Sequence, residues 1–452
     1  MEILSQSPQP VIKCYSSIEN NKVAQKLYEV FSPNSTYSSG KNLQSYSFEV
    51  STPTNIEGSF SFTVKEDENT DDLFMDKVSP LDIVVISEDG GTTYDFIGVV
   101  TTISIGCVAS NLQKIVTVSG KDISFLFQYL NINTDIKTVS FNSNNKQLIV
   151  DFAKNQGENP ILVSDIVKKS FDTFVQATKN NKEISNFLIA ELIEKWYDKD
   201  IFEVGKESFY YPISSNMFTE GTITYINYIK KLLPSPIYEI YGIVKNNSPK
   251  IRVREVPFDL SHENISQINP TCLKDFTLTR NCEEVYTAFM PYLEGSSQSP
   301  SFYMNLAKGT SVEEKGYECA KANTEKVSKY GYQLLTCSFV GFSADGKLNS
   351  EKMSELAAKM DRWFSHLDEM LSGDITIVNY ITHKHNSVGE WLKFCGADFY
   401  ITKASHSWNY GDNPSINYEV SRGGVYLESG DFTPVKQISK SYQEFVRWLS
   451  EK

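Results

Sequence analysis

Three stretches near the start of the chain place an apolar residue at every second position: Val11-Ile12-Lys13-Cys14-Tyr15, Ser45-Tyr46-Ser47-Phe48-Glu49-Val50 and Ser59-Phe60-Ser61-Phe62-Thr63-Val64. A period of two turns one face of an extended chain toward a core and leaves the other in water, so these read as half-buried strands. Asp82-Ile83-Val84-Val85-Ile86 follows, then a Gly90-Gly91 turn, the β-branched run from Tyr94 to Ile105, and Lys114 to Val118. Strands at this spacing, joined by turns, predict a small barrel or sandwich. Asp122 is placed to cap a short helix from Ile123 to Leu130.

The period then changes. Ile166, Val167, Phe171, Phe174 and Val175 stand three and four apart, as do Ile184, Phe187, Leu188, Leu192, Ile193 and Trp196. Each set makes one helix face. A third helix is predicted from Thr222 to Leu233, and a hairpin from Ile237–Val244 and Lys250–Val256 around Asn246-Asn247-Ser248-Pro249. Phe276–Thr279, Ala288–Tyr292 and Leu334–Phe342 read as strands, Gly295–Pro300 as a loop, and Glu313–Lys329 carries only weak helical periodicity. Met353, Leu356, Ala357, Met360, Trp363, Phe364, Leu367 and Met370 form a long apolar stripe, capped by Asn349 or Ser350 and ended by Gly373. Such a stripe is usually the buried face of a helix rather than a groove for a partner. Asp374–Ile381, Phe399–Trp408 and Ser415–Val420 return to strand, and Tyr442–Leu449 to a short helix.

Composition narrows the class. The chain has 452 residues, 40% of them hydrophobic and 13% aromatic, which suffices for packed cores and excludes a disordered chain. At about 100–200 residues per domain, two to four domains are expected. The net charge of −13 argues against a surface that wraps DNA or an anionic membrane, since both need a basic face. The first residues hold neither a basic nor an apolar leader region, and no run reaches the roughly 18 apolar residues of a membrane helix, so neither secretion nor stable membrane insertion is expected. Cys14, Cys107, Cys272, Cys282, Cys319, Cys337 and Cys395 are scattered without a C-x-x-C pair, so reduced cysteines of a cytosolic chain are expected rather than zinc or disulfides.

The first and last β regions share an order of elements. Asp82–Ile86, Phe96-Ile97-Gly98-Val99-Val100-Thr101 and Val116-Thr117-Val118-Ser119-Gly120 are matched by Asp374–Val378, Phe399-Tyr400-Ile401-Thr402-Lys403-Ala404 and Tyr418-Glu419-Val420-Ser421-Arg422-Gly423. This reads as an internal repeat of two similar units around a largely helical middle.

No catalytic motif is present: G-x-S-x-G, G-x-x-x-x-G-K-[ST], H-E-x-x-H and G-x-G-x-x-G are all missing. Gly120-Lys121-Asp122 lacks the upstream glycine and the hydroxyl residue of a phosphate loop. His383-Lys384-His385 offers two imidazoles but no fixed third ligand, and reads as a solvated loop; Glu68, Asp71 and Asp72 read likewise. His406 stands beside hydroxyls in Ser405-His406-Ser407-Trp408, yet no nucleophile or orienting group can be named for it. Alternation puts it on the same strand face as Trp408, which favours a structural role.

With these residues in view, Gly396–Trp408 closed by Val420-Ser421-Arg422-Gly423-Gly424 resembles the last barrel of phage tail baseplate hub proteins of the late-control-D-like family. Phe60–Val64, Pro80–Ile86, Phe96–Val100 and Val118–Asp122 resemble its first barrel. The resemblance implies an α+β, β-rich fold: two similar small tail-tube-like β-barrel domains separated by helical and mixed α/β segments. The divisions expected are 1–130 for the first barrel, 131–235 mainly helical, 236–345 mixed with the hairpin, 346–430 for the long helix and second barrel, and 431–452 for a C-terminal helix. Phe96, Gly98, Gly120, Phe399, His406, Trp408, Arg422 and Gly423 are the expected structural residues of the barrel repeat.

The resemblance also implies a role: a homotrimer whose six barrels adapt a hexameric tail tube to a trimeric central spike and line a conduit for DNA or effectors. Partners would be the tail tube protein, a separate spike protein, and baseplate wedge and tape-measure proteins, with DNA only as passing cargo. The chain would sit in a virion or tail-particle baseplate assembled in the bacterial cytoplasm, without catalysis, metal or cofactor. The competing readings are a peptidoglycan hydrolase of the same kind of particle, which needs two carboxylates across a cleft, and a glycan-binding β protein, which needs exposed aromatics on one sheet face.

Overall fold

A computed structural model of the chain describes residues 10–33, 42–51, 58–66, 73–108, 113–133, 161–162, 167–168, 170–172, 174–175, 188–197, 201–204, 210–211, 222–233, 236–257, 265–268, 270–293, 321–339, 350–378, 388–426, 432–435 and 447. The His383–His385 segment, the acidic residues Glu68, Asp71 and Asp72, the Gly295–Pro300 loop and nearly all of the C-terminal helix lie outside them.

Strand dominates, as the alternation requires. The N-terminal strands are β1 (Val11–Glu19), β2 (Lys22–Phe31), β3 (Asn42–Ser51), β4 (Ser59–Lys65), β5 (Ile83–Ser87), β6 (Phe96–Val108) and β7 (Gln113–Asp122). In the sheet they stand in the order β3-β4-β7-β6-β5-β1-β2. One face of every strand enters a common core: Ile12, Cys14, Phe31, Leu43, Phe62, Val64, Val84, Ile86, Val116 and Val118 are fully buried there. The sheet therefore wraps its own core as a barrel does. Among the described residues no ladder joins β2 to β3 to close it.

The middle of the chain holds a second core. Helix α1 (Leu188–Trp196) and helix α2 (Tyr225–Leu232) pack their apolar faces into it. Thr224 caps α2, its hydroxyl accepting from Asn227 N at 3.3 Å. Strands β8 (Tyr238–Lys245) and β9 (Ser248–Glu255) make the expected hairpin. Asn246 and Asn247 alone form its turn, with φ of 54° and 60°, the left-handed pair that a two-residue hairpin needs. Asp122 caps as expected, accepting from Ser124 N at 2.8 Å, but the helix that follows, Ile123–Tyr129, is a 3-10 helix.

The C-terminal part resumes with β10 (Leu273–Thr279), β11 (Ala288–Leu293), helix α3 (Thr324–Tyr330), β12 (Leu334–Phe339) and helix α4 (Ser350–Phe364). Strands β13 (Leu371–Val378), β14 (Trp391–Phe394), β15 (Ala397–Asn409) and β16 (Ser415–Tyr426) follow. The helix expected to run through Met370 stops at Phe364. Beyond it Asp368 is gripped by α3, accepting from Lys326 Nζ at 2.6 Å and Tyr330 OH at 2.8 Å, which turns the chain. Gly373 is not a helix cap. It lies inside β13, where an added Cβ would stand 1.9 Å from the Thr277 carbonyl oxygen.

Strands β10-β13-β16-β15 form one side of the same sheet as the N-terminal strands, because the last half of β15 pairs with β3. The two sides are copies of one unit. In chain order β3, β4, β5, β6, β7 correspond to β10, β13, β14, β15, β16, and the ladders follow suit: β3 on β4, β4 on β7, β7 on β6, β6 on β5, and likewise β10 on β13, β13 on β16, β16 on β15, β15 on β14. Registers agree along most of the ladders, the second unit adding one bulge at Arg422 that the first lacks. Leu43 opposite Val64 matches Leu273 opposite Ile377, and each is followed by a one-residue bulge. Val100 opposite Gly120 matches Ile401 opposite Val420, and each is followed by a bulge at a threonine, Thr101 or Thr402. Both threonine hydroxyls donate to the carbonyl facing the bulge, Ser119 O at 3.4 Å and Glu419 O at 3.0 Å.

This corrects the alignment read from sequence. Asp374–Val378 corresponds to Ser61–Lys65 rather than to Asp82–Ile86, whose counterpart strand is β14. Phe399 corresponds to Gly98, two residues from the expected Phe96. The reason is an exchange of bulk. The Phe60 ring lies across Gly98 and Gly120, where a Cβ would meet it at 2.6 Å and 2.7 Å. In the second unit the position of Phe60 is Gly373 and the position of Gly98 is Phe399, whose ring instead covers Gly423, 2.2 Å from where its Cβ would be.

Candidate assembly surface

Alternation gives the joined sheet two unlike faces. The core face is apolar. The outer face carries Ser45, Ser47, Ser61, Thr63, Thr117, Ser119, Ser405, Ser407, Thr376 and Asn417, all half-buried or exposed. Its hydroxyls and amides bond across strands: Thr63 to Thr117 at 3.2 Å, Ser407 to Ser415 at 2.9 Å, Thr376 Oγ1 to Asn417 Oδ1 at 3.3 Å. Lys65, Lys121 and Lys403 on this face are set against Glu49, Asp275, Asp374 and Glu419, so its charges nearly cancel. Lys403 Nζ stands 2.7 Å from Glu49 and holds that carboxyl below the usual range, against a burial that pushes it up.

The seam between the units is built from both. His406 and Trp408 of β15 do share a face and both are buried. Trp408 stacks on Tyr46 at 6.0 Å and His406 on Phe48 at 4.3 Å, so the second unit supplies part of the first unit's core. His406 Nδ1 stands 3.0 Å from Glu88 Oε2, and Tyr46 OH donates to Glu88 Oε1 at 2.7 Å. Glu88 N in turn donates to Asp95 Oδ2 at 2.7 Å. The imidazole is buried against Phe48 and the Glu88 carboxylate. Phe96 packs beneath, 5.3 Å from Phe48 and 5.8 Å from Phe60.

Burial, and then the neighbouring Glu88 charge, push the Asp95 carboxyl up to about 7. Between about pH 4 and pH 7 the folded chain therefore holds a proton that the unfolded chain has lost, so stability falls as pH rises through that window. Asp95→Asn keeps the acceptor for Glu88 N and removes the charge. It is expected to stabilise the chain by roughly 1–4 kcal/mol at pH 8 and by much less at pH 5. Urea midpoints at the two pH values check this; an equal gain at both would contradict it.

A second buried polar cluster ties the middle to the second unit. Glu239 on β8 receives Arg254 Nε of β9 at 3.0 Å and the Tyr400 hydroxyl of β15. Arg254 Nη2 also donates to Tyr400 OH at 2.9 Å and to the Gly389 carbonyl. Arg422, at φ 57°, lays its guanidinium 4.1 Å over Trp363 of α4 and donates to Ser421 Oγ at 3.1 Å. Gly423 follows under Phe399. Of the residues singled out from sequence, His406 and Trp408 stand at the seam, His406 and Phe96 each packing on Phe48, Gly98 and Gly120 lie together beneath Phe60, and Phe399, Arg422 and Gly423 stand in the second unit. Nothing in local spacing marks Glu88 as the partner of His406, 318 residues away, or Glu239 and Arg254 as partners of Tyr400, 161 and 146 residues away; the bulge threonines lie only 18 and 17 residues from their acceptors, but a period of two does not mark a bulge.

Among the described residues no group of three or more His, Cys, Asp or Glu side chains is placed to hold a metal, and no helix is long and apolar enough to cross a membrane. No family model matches the chain, and no curated protein matches its sequence. Three solved structures similar in overall arrangement are tail proteins. The 43 kDa tail protein of prophage MuSo2 from Shewanella oneidensis aligns at a TM-score of 0.47 and 10% identity, over 94% of this chain and 100% of its own. The tail protein from Neisseria meningitidis MC58 aligns at 0.47 and 9%, over 91% and 96%. The prophage tail protein gp18 from Listeria monocytogenes EGD-e aligns at 0.43 and 10%, over 98% and 100%.

Proposed function

We propose that the chain is a non-catalytic structural hub of a contractile tail: a trimeric ring that adapts a six-fold tail tube to a three-fold spike. The observation that carries this reading is the doubled unit, five strands repeated with the same ladders and two shared bulges in matching register, joined edge to edge within one chain. Three such chains present six near-equivalent units to a tube while keeping three-fold symmetry for a spike. The sequence resemblance to baseplate hubs points the same way. In this ring the hydroxyl-rich, charge-balanced sheet face lines the conduit, a surface with no excess of cations to retain DNA phosphates. Wedge and tape-measure proteins are the further partners of this reading, and a virion or tail-particle baseplate its location.

Co-expression with a candidate tail tube protein and a candidate spike protein tests the reading. The three are expected to co-elute as one complex, and the chain alone to leave cell-wall zymograms blank. Clearing of the zymogram, or elution apart from both partners, would overturn it.

A further inference from the structure

The doubling leaves two sheet edges open, and they match. Within the chain, β14 covers only the first half of β15, at Ala397–Tyr400, and β3 pairs with the second half: Ala404 opposite Val50, His406 opposite Phe48, Trp408 opposite Tyr46. In the first unit β5 covers only Phe96–Val99 of β6. Among the described residues no strand pairs with the same edge of β6 beyond that point, and past the half-buried Ile103 its side chains from Ser104 to Cys107 are exposed, Ile105 at 55%. The counterpart of β3 is β10, and it carries no strand on its outer side among the described residues.

We infer that β10 of one copy of this chain pairs antiparallel with the second half of β6 of another, in the register that β3 keeps on β15. The inference rests on the ring reading and gives it a contact. Transferring the register through the matched ladders sets Ile105 opposite Leu278 and Cys107 opposite Phe276, as His406 faces Phe48 and Trp408 faces Tyr46. The pairing buries an exposed isoleucine and cysteine against half-buried apolar residues. Ser104 meets Thr279 on the opposite face and continues the hydroxyl surface. It also covers two edges that would otherwise template random pairing. Because the two edges differ, the contact is head to tail, and repeated copies close into a ring when the rotation allows.

Opposed residues on antiparallel strands have Cα atoms about 4.5–5.5 Å apart, within disulfide reach. The test is Phe276→Cys in a Cys282→Ser background, mildly oxidised, with native Cys107 as its partner. The two positions lie on opposite sides of one chain's sheet, so a link joins different chains. A disulfide between Cys107 and the introduced thiol is expected, giving a covalent ladder that stops at three chains and is lost with Cys107→Ser. Ile105→Cys with Leu278→Cys, in a Cys107→Ser and Cys282→Ser background, asks the same of the neighbouring pair should Phe276→Cys fold poorly. Trimers by mass without either link would overturn this pairing and leave the hub reading standing. A chain monomeric at all concentrations, with its thiols free, would overturn both. A ladder running on past three chains would overturn ring closure.

Discussion

Gly120→Val is expected to unfold the first unit. A Cβ at this position would stand 1.9 Å from the Val99 carbonyl oxygen and under 3 Å from two atoms of the Phe60 ring. The ring is boxed in by Phe62 and Phe96, at centroid distances of 6.5 Å and 5.8 Å, and the carbonyl belongs to the strand that bulges at Thr101. Overpacking of a well-filled core costs about 1–3 kcal/mol when side chains alone must move. Here backbone must move as well, so a loss above about 4 kcal/mol is expected. Gly106→Val on the neighbouring strand is the control. Its nearest such atom is 4.0 Å away, and a change within about 0.5 kcal/mol is expected. Urea denaturation followed by circular dichroism reads both. A mild Gly120→Val would mean that Phe60 is loosely held.

Arg254→Ala is expected to be nearly as damaging, for an electrostatic reason. Glu239 has a side chain only 2% exposed and is reached by Arg254 and Tyr400. Removing the guanidinium leaves a carboxylate out of water without its counter-charge, a loss of about 3–5 kcal/mol for buried pairs of this kind. Adding Glu239→Leu to the variant removes the stranded charge and is expected to restore part of the loss. A double-mutant cycle therefore should show strong coupling. Additive losses would mean that water reaches Glu239 and that the hairpin is not fastened to the second unit through it. The cluster fastens β8 and β9 to β15, the strand whose second half makes the seam with β3.

The strands, the hairpin and the helices Leu188–Trp196, Tyr225–Leu232 and Ser350–Phe364 were legible because periodicity is local. Ser59–Lys65 alternates in sequence and alternates in burial. His406 and Trp408 were placed on one face by the same rule, and they are. The repeat was legible only as an order of strands. Its residue correspondence was hidden because packing, rather than identity, is what the two units share: Phe60 and Gly98 in one are replaced by Gly373 and Phe399 in the other, where the Phe399 ring covers Gly423 instead. Bulges shift the register by one residue each and leave no mark in a pattern of period two beyond a change of phase. The helix past Phe364 was misread because Leu367 and Met370 stay apolar while Asp368 turns the chain away. Glu88 and His406 stand 318 residues apart, beyond any local spacing rule, whereas Glu239 and Arg254 face each other across the hairpin and follow from its register.

The mass of the assembled chain in solution tests the central claim most directly. Native mass spectrometry or light scattering of the full chain is expected to give a species of three times 51.2 kDa, alone or as the core of a complex with a candidate spike protein. A monomer under every condition, or a closed dimer, would contradict a ring of six units built from three chains.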